Sequence, residues 1–252
     1  MSALVSILLF TALAVTQARA ETPEEITVAA AADLTFPFKE LGPLFERARN
    51  VKVTFIFGST GNLAKQIEYG APVDVFFAAD AGFVEYLTQK GLTIPESQIL
   101  YAQGRIVLAT AKSARLALSD LRDLLRPEVK RVAIANPSHA PYGRAAQEAL
   151  QAAGLWEVLK PKLVYGENIR HALQFIQTGN AEAGIVALSV ADVPEVTYAL
   201  IDGKLHKPLN QTAAVIKRSP HQELGLAFLH FVNGREGRPI MKKFGFLITD
   251  DL

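Results

Sequence analysis

The sequence predicts an α/β protein of two lobes, each a mostly parallel sheet flanked by helices, with a cleft between them. Three observations predict it. Strand-like runs alternate with helical periodicity along the whole chain, the order expected of βα units. Several of these runs, Val132–Ala135 and Ala183–Ala187 among them, are apolar throughout, as in strands covered on both faces. The chain of 252 residues is long for one doubly wound sheet and divides better into two half-size lobes.

The first strand, Ile26–Ala31, leads into helical periodicity over Phe36–Arg49, where Phe38, Leu41 and Phe45 share a face. Val51–Phe57 carries large apolar residues at alternate positions and reads as a strand. A Gly turn then opens the helix Leu63–Tyr69. Val73–Ala78 is the third strand and Gly82–Lys90 the third helix, with Asp80 placed to cap it. Arg105–Thr110 is a strand, and Leu118–Leu125 repeats leucine at helical spacing. Strand Val132–Ala135 feeds helix Gly143–Ala153, and strand Leu163–Tyr165 feeds helix Ile169–Thr178. Strands Ala183–Ala187, Thr197–Leu200 and Ala213–Lys217 follow, with helices His221–Val232 and Arg235–Phe244 at the end. One lobe is expected to hold residues 21–101 and 212–252, the other residues 102–211. Crossings near Gln103-Gly104 and Pro208–Gln211 would form a hinge.

Residues Ala3 to Val15 are apolar but too few for a comfortable membrane span, and Ala18-Arg19-Ala20 is a small-x-small site before Glu21. Residues 1–20 therefore read as a cleaved export signal, although no Lys or Arg precedes the apolar run. A periplasmic location is expected. The chain has no cysteine, which excludes disulfides, thiolate metal sites and a lipidated N-terminal cysteine. With 26 basic against 25 acidic residues and no charge run, nothing suggests a nucleic-acid surface. A monomer suits a freely diffusing protein.

Ligands of open α/β sheets bind off the carboxyl ends of the strands, so the turns after the strands carry the function. Phe57-Gly58-Ser59-Thr60-Gly61-Asn62 joins a strand to a helix opening with hydroxyls. Free amides and the helix dipole make such a point an anion site. The Lys of a nucleotide P-loop is missing, which favours a small bare anion. Ala32-Asp33-Leu34-Thr35, Asn136 to Gly143, and Gly166-Glu167-Asn168-Ile169 occupy equivalent junctions. Four helix starts facing one cleft would hold a dianion without a formal positive charge. Each polar residue there is also a candidate for plain helix capping.

The junctions resemble those of periplasmic molybdate-binding proteins, the substrate-binding components of ABC transporters. The resemblance runs from Ile26 to the C-terminus. It is carried by Ala29-Ala30-Ala31-Ala32-Asp33-Leu34, Phe57-Gly58-Ser59-Thr60-Gly61, the run from Gly70 to Asp80, Asn136 to Gly143, and Gly179 to Ala187. It implies a type II periplasmic-binding-protein fold, molybdate or tungstate as ligand, no cofactor, a permease partner and no catalysis. Residue by residue, it implies a ligand site at Asp33, where the family commonly has Ser or Asn, and at Thr60, usually Ser, beside Ser59. It adds the Tyr142 phenol and the Ile169 amide. Ala187 stands where other members supply a Tyr hydroxyl, which Tyr142 would replace.

Asp33 is the departure. An ionised carboxylate is acceptor-only and would repel a dianion by about 4 kcal/mol at ~4 Å for each unit-charge pair at an effective dielectric of about 20. It is expected to turn away and cap its own helix. Alternatively it accepts a hydrogen bond from a protonated oxyanion (phosphate, arsenate or selenite), or binds a metal cation with Tyr142 and His139. The five histidines, His139, His171, His206, His221 and His230, lack metal-ligand spacing and read as surface or helix-end residues. Asp74 reads as solvated or capping, Glu167 as ordinary before a helix start, and Arg144 and Arg170 as outer-face residues. An exported hydrolase would need a nucleophile, a base and an orienting acid, and no His lies near Ser59 or Thr60 in sequence. A binder of organic ligands would carry an Arg clamp and aromatic walls, whereas the cleft residues here are small.

Overall fold

The computed structural model describes residues 24–248, so the expected export signal, residues 1–20, lies outside the described residues. In chain order the elements are β1 (Glu25–Ala31), α1 (Thr35–Arg49), β2 (Lys52–Gly58), α2 (Thr60–Glu68), β3 (Val75–Ala78), α3 (Ala81–Gln89), β4 (Ile99–Gly104) and β5 (Ile106–Ala111). There follow β6 (Val132–Ala135), α4 (Pro141–Ala152), α5 (Trp156–Leu159), β7 (Leu163–Gly166), α6 (Ile169–Gln177), β8 (Ala183–Ala187), α7 (Leu188–Ala191), β9 (Val196–Leu200), β10 (Leu209–Val215), α8 (Gln222–Val232) and α9 (Gly237–Lys243).

The strands form two five-stranded sheets, ordered β2-β1-β3-β10-β4 and β7-β6-β8-β5-β9. Each has a parallel trio and one reversed strand, β10 in the first and β5 in the second. The α/β, two-lobe expectation with mostly parallel sheets therefore holds, with one reversed strand in each. The chain changes sheet at Arg105, between β4 and β5, and again over residues 201–208.

Register positions the cleft. Ala31 pairs with Gly58, so β1 and β2 end level and set Ala32-Asp33 beside Ser59-Thr60. Ala135 pairs with Gly166 in the same way, setting the turns before α4 and α6 side by side. The first lobe stands on an aromatic core, with Phe77 edge-on to Phe38 at 5.0 Å and Phe228 edge-on to Phe45 at 5.0 Å. Such pairs contribute about 0.5–1.5 kcal/mol each beyond area burial. The second core is mostly Ala, Val, Leu and Ile.

Three expectations change. The strand Ile99–Gly104 was not anticipated; it pairs with β10, matching Gly104 to Leu209 and Ala102 to Gln211. The strand expected over Ala213–Lys217 accordingly spans Leu209–Val215, and the segment anticipated as hinge is paired sheet. The helix expected over Leu118–Leu125 is a 3₁₀ stretch, Leu121–Leu125, held by an Asp120/Asp123 capping box. Pro127 disfavours helical backbone at Arg126 and leaves too little chain for an α-helix.

Candidate functional site

Asp33, Ser59, Thr60, Tyr142 and Ile169 line one cavity of about 10 Å³ between the lobes. Small residues, Ala31, Ala32, Ala79 and Ala140, complete most of its wall. β2 ends at Gly58, Ser59 is extended, and α2 starts at Thr60. Pro141 occupies the first position of α4, where its missing N–H costs nothing, and Tyr142 follows. Asn168 caps α6 by accepting the His171 amide at 3.0 Å, which makes Ile169 the first helical residue. First-turn amides have no intrahelical acceptor, so α2, α4 and α6 bring donors and positive dipole ends to one point.

The Thr60 hydroxyl accepts the Ala79 amide at 3.1 Å. With that lone pair used by a donor, its proton is left for another acceptor. Ser59 Oγ lies 2.8 Å from His139 Nδ1, across the lobes.

Asp33 does not cap its helix. Ala32–Leu34 form a 3₁₀ turn that runs straight into α1, and neither helix start has a side-chain cap. The Asp33 carboxylate is fully buried instead. Its Oδ2 accepts the Tyr142 hydroxyl at 3.0 Å and Gln211 Nε2 at 2.8 Å. Gln211 Nε2 also donates to the Tyr142 oxygen at 2.8 Å, and its Oε1 accepts from Tyr101 at 2.8 Å. Oδ1 is buried with no hydrogen-bond partner. Burial pushes the carboxyl up to about 6, against the lowering effect of Gln211, Tyr142 and the residue's own amide. Tyr142 therefore directs its proton to Asp33, not to the cavity, which amends its expected role. Ala187 is buried at the end of β8 and is not among the lining residues.

Gln211 and Tyr101 are the residues that sequence reasoning missed. The signal available was a glutamine next to the apolar run that follows it in β10. The pairing of β10 with β4 shifts register between Gln211 and Thr212, and the Gln211 side chain is fully buried.

The lobes meet around the cavity. The Gly61 amide donates to the His139 carbonyl at 2.9 Å, and the Ser189 hydroxyl donates to the Asp33 carbonyl at 2.9 Å. Arg144 pairs with Asp80 at 2.6 Å and lies over the Phe83 ring. The Arg170 guanidinium lies 4.4 Å over Phe36. Both arginines thus bridge the lobes and do not occupy the outer face. Asp80 also accepts the Gly82 amide at 2.8 Å, the cap expected of it. Asp74, anticipated as solvated or capping, is buried and ties the Thr27 amide to the Ser219 hydroxyl. Glu167 is exposed and outside the cavity wall.

The trio proposed for a metal cation does not assemble, because His139 is turned onto Ser59 while Tyr142 holds Asp33. Among the described residues no cluster of three or more His, Cys, Asp or Glu could hold a metal ion. The Ser59–His139 contact supplies a nucleophile beside a base, but among the described residues no carboxylate bonds the His139 ring to orient it. A triad needs that third group.

The chain matches the family model described as bacterial extracellular solute-binding protein over residues 26–247. It is 38% identical over 224 residues to the molybdate-binding protein ModA of Rhodobacter capsulatus, covering 88% of each chain. With ModA of Azotobacter vinelandii the identity is 37% over 227 residues, covering 88% of this chain and 89% of the relative. The structure of the Azotobacter vinelandii periplasmic molybdate-binding protein superposes with a TM-score of 0.82 at 28% identity, over 88% of this chain and 99% of that one. From the family match over residues 26–247 and these relatives, the chain belongs to the bacterial extracellular solute-binding protein family.

Proposed function

We propose that the protein is the substrate-binding component of an ABC transporter, capturing molybdate or tungstate in the periplasm and presenting it, as a monomer, to a membrane permease. The lining of the cavity carries this reading. At about 10 Å³ it has room for little more than one water in this structure, so an anion is seated there with the lobes further apart. Its walls are helix starts and hydroxyls from both lobes, the means of holding an oxyanion without a basic side chain. The relatives at 38% and 37% identity bear the same ligand in their names. A catalytic role is disfavoured because the Ser59–His139 pair lacks an orienting acid.

In the proposed cycle the first lobe receives the anion at Asp33, Ser59 and Thr60. The second lobe then swings in with Tyr142 and the Ile169 amide, and the Gly61–His139 and Arg144–Asp80 contacts close behind it. Calorimetric titration of the ligand-stripped mature protein with molybdate, and with sulfate, phosphate and arsenate in parallel, tests the reading. Tight molybdate binding is expected, and absence of molybdate heat at every pH would overturn it.

Two variants at the start of α2 probe the ligand contact and the contact between the lobes. Thr60→Ala removes a donor to a charged ligand and is expected to weaken molybdate binding by more than about 1 kcal/mol; unchanged affinity would take Thr60 out of the site. Gly61→Ala would place a Cβ 2.8 Å from the His139 carbonyl oxygen and 3.1 Å from its Cα. Backbone stands on both sides of that contact, so the lobes must part. At least about a tenfold loss of affinity is expected, with an increased radius of gyration for the molybdate-saturated protein by X-ray scattering. A saturated Gly61→Ala protein as compact as its parent would refute the wedge.

A further inference from the structure

We propose that Asp33 makes this a proton-coupled oxyanion site, in which Oδ1 shares one proton with a ligand oxygen, so that each tetrahedral dianion is bound together with a proton drawn from solvent. The inference rests on the oxyanion reading above and concerns what enters with the anion.

The hydrogen bonds favour one place for that proton. Oδ2 accepts from both Tyr142 and Gln211. A proton on Oδ2 would need Tyr142 to accept it and turn its own proton away, whereas Oδ1 is open. Gln211 keeps Nε2 on the carboxylate while its Oε1 accepts from Tyr101 at 2.8 Å, and the Tyr101 hydroxyl also lies 3.3 Å from the Ala78 carbonyl. In this arrangement the donors of Gln211 and Tyr142 converge on Oδ2. Oδ1 remains buried, without a protein partner, on a residue that lines the cavity. A buried oxygen left unpaired is costly. A proton shared with an anion oxygen satisfies it and removes the repulsion between two negative groups.

The surroundings do not neutralise the carboxylate by other means. From β4 it faces Tyr101, and from α4 Tyr142, both phenols held well above their ordinary range by burial and by the charge of Asp33 itself. From β10 it faces the neutral Gln211. On the α2 side the ionisable neighbour is His139, held on Ser59. On the α6 side it is Arg170, whose guanidinium lies over Phe36. Among the described residues no basic side chain bonds the Asp33 carboxyl. Burial already pushes that carboxyl up to about 6, and an adjacent dianion raises it further, which keeps it protonated at neutral pH.

The test counts protons. Molybdate is titrated into the mature protein at pH 7.5 in buffers of different ionisation enthalpy, HEPES and Tris, and again from pH 6.5 to 8.5. Close to one proton taken up per molybdate is expected, with affinity falling toward tenfold for each pH unit above 7. Asp33→Asn keeps the shape, can accept from Tyr142 and Gln211, and offers an amide N–H where Oδ1 stood. It is expected to take up no proton, to bind with pH-independent affinity, and to bind at pH 8.5 at least about tenfold more tightly than the parent. Molybdate binding by the parent with no proton uptake and a flat pH profile would overturn the proposal while leaving the oxyanion reading intact. That measurement on the parent decides even if the variant fails to fold. Uptake that survives Asp33→Asn but is lost in His139→Gln would assign the proton to His139 and also overturn it. Absence of heat with molybdate and tungstate at every pH would remove the oxyanion reading, and the proposal with it.

Discussion

Gly104→Ala is expected to lower molybdate affinity by at least about a hundredfold while leaving both lobes folded. A Cβ at Gly104 would coincide with the Tyr142 hydroxyl, and it would stand 2.9 Å from Tyr142 Cζ and 2.8 Å from Gln211 Nε2. Both side chains are buried, with Tyr142 at 3% exposure and Gln211 at 0%, so neither can step aside into water. The donors to Asp33 Oδ2 are therefore pushed away together. The clash falls on the closed state, in which Tyr142 of the second lobe meets Gly104 of the first, and a penalty of about 2.7 kcal/mol on closing is a hundredfold in affinity. Gly203→Ala is the matched control, because a Cβ there meets nothing within 4 Å. Calorimetry checks the affinity and circular dichroism the fold. A Gly104→Ala protein that binds molybdate like its parent would show that Tyr142 and Gln211 do not set the site.

What was legible in the sequence lies within a few residues along the chain. The junction Gly58-Ser59-Thr60 and the helix start at Ile169 could be placed because a strand end and a helix start are local patterns. The Asp80 cap spans two residues, Asp80 to Gly82, and was equally visible. The contacts that give these residues their environment are remote. Ser59 and His139 are 80 positions apart, and Asp33 and Gln211 are 178 apart. No local signal pairs them. The strand Ile99–Gly104 was missed for a related reason, since Tyr101 and Gln103 with a terminal Gly read as connection until β10 is laid against them. Asp33 was expected to cap because capping is the common use of Asp at a strand-to-helix junction. Here the Thr35 hydroxyl bonds back to the Ala32 carbonyl at 2.7 Å, the turn continues directly into α1, and Asp33 falls inside it. Its side chain is left to the cleft, where residues from β4, β10 and α4 decide its chemistry.

That burial predicts a pH-dependent stability for the ligand-free protein. The Asp33 carboxyl ionises at an ordinary value of 3.8 in the unfolded chain and at about 6 in the fold. Its folded pKa is the higher, so its favourable contribution is complete below about pH 4 and disappears as pH rises through 6. A gap of this size corresponds to about 3 kcal/mol. Asp33→Asn removes the charge and keeps an acceptor for Tyr142 and Gln211. It is therefore expected to be more stable than the parent by up to about 3 kcal/mol at pH 8, roughly 6–12 °C in melting temperature for a chain of this size. The advantage should shrink steadily on acidification and vanish near pH 4, where the parent is protonated in both states. Melting curves of the two proteins across pH 4–8, in a buffer free of oxyanions, measure it. A difference that stays constant with pH would contradict the prediction and place the desolvation of Asp33 in the closing of the lobes, not in folding. In either case the same free energy must be supplied by a proton or a donor when the site is filled. The cost of an ionised Asp33 in the ligand-free fold and the uptake of a proton on binding are therefore two measurements of one buried carboxyl.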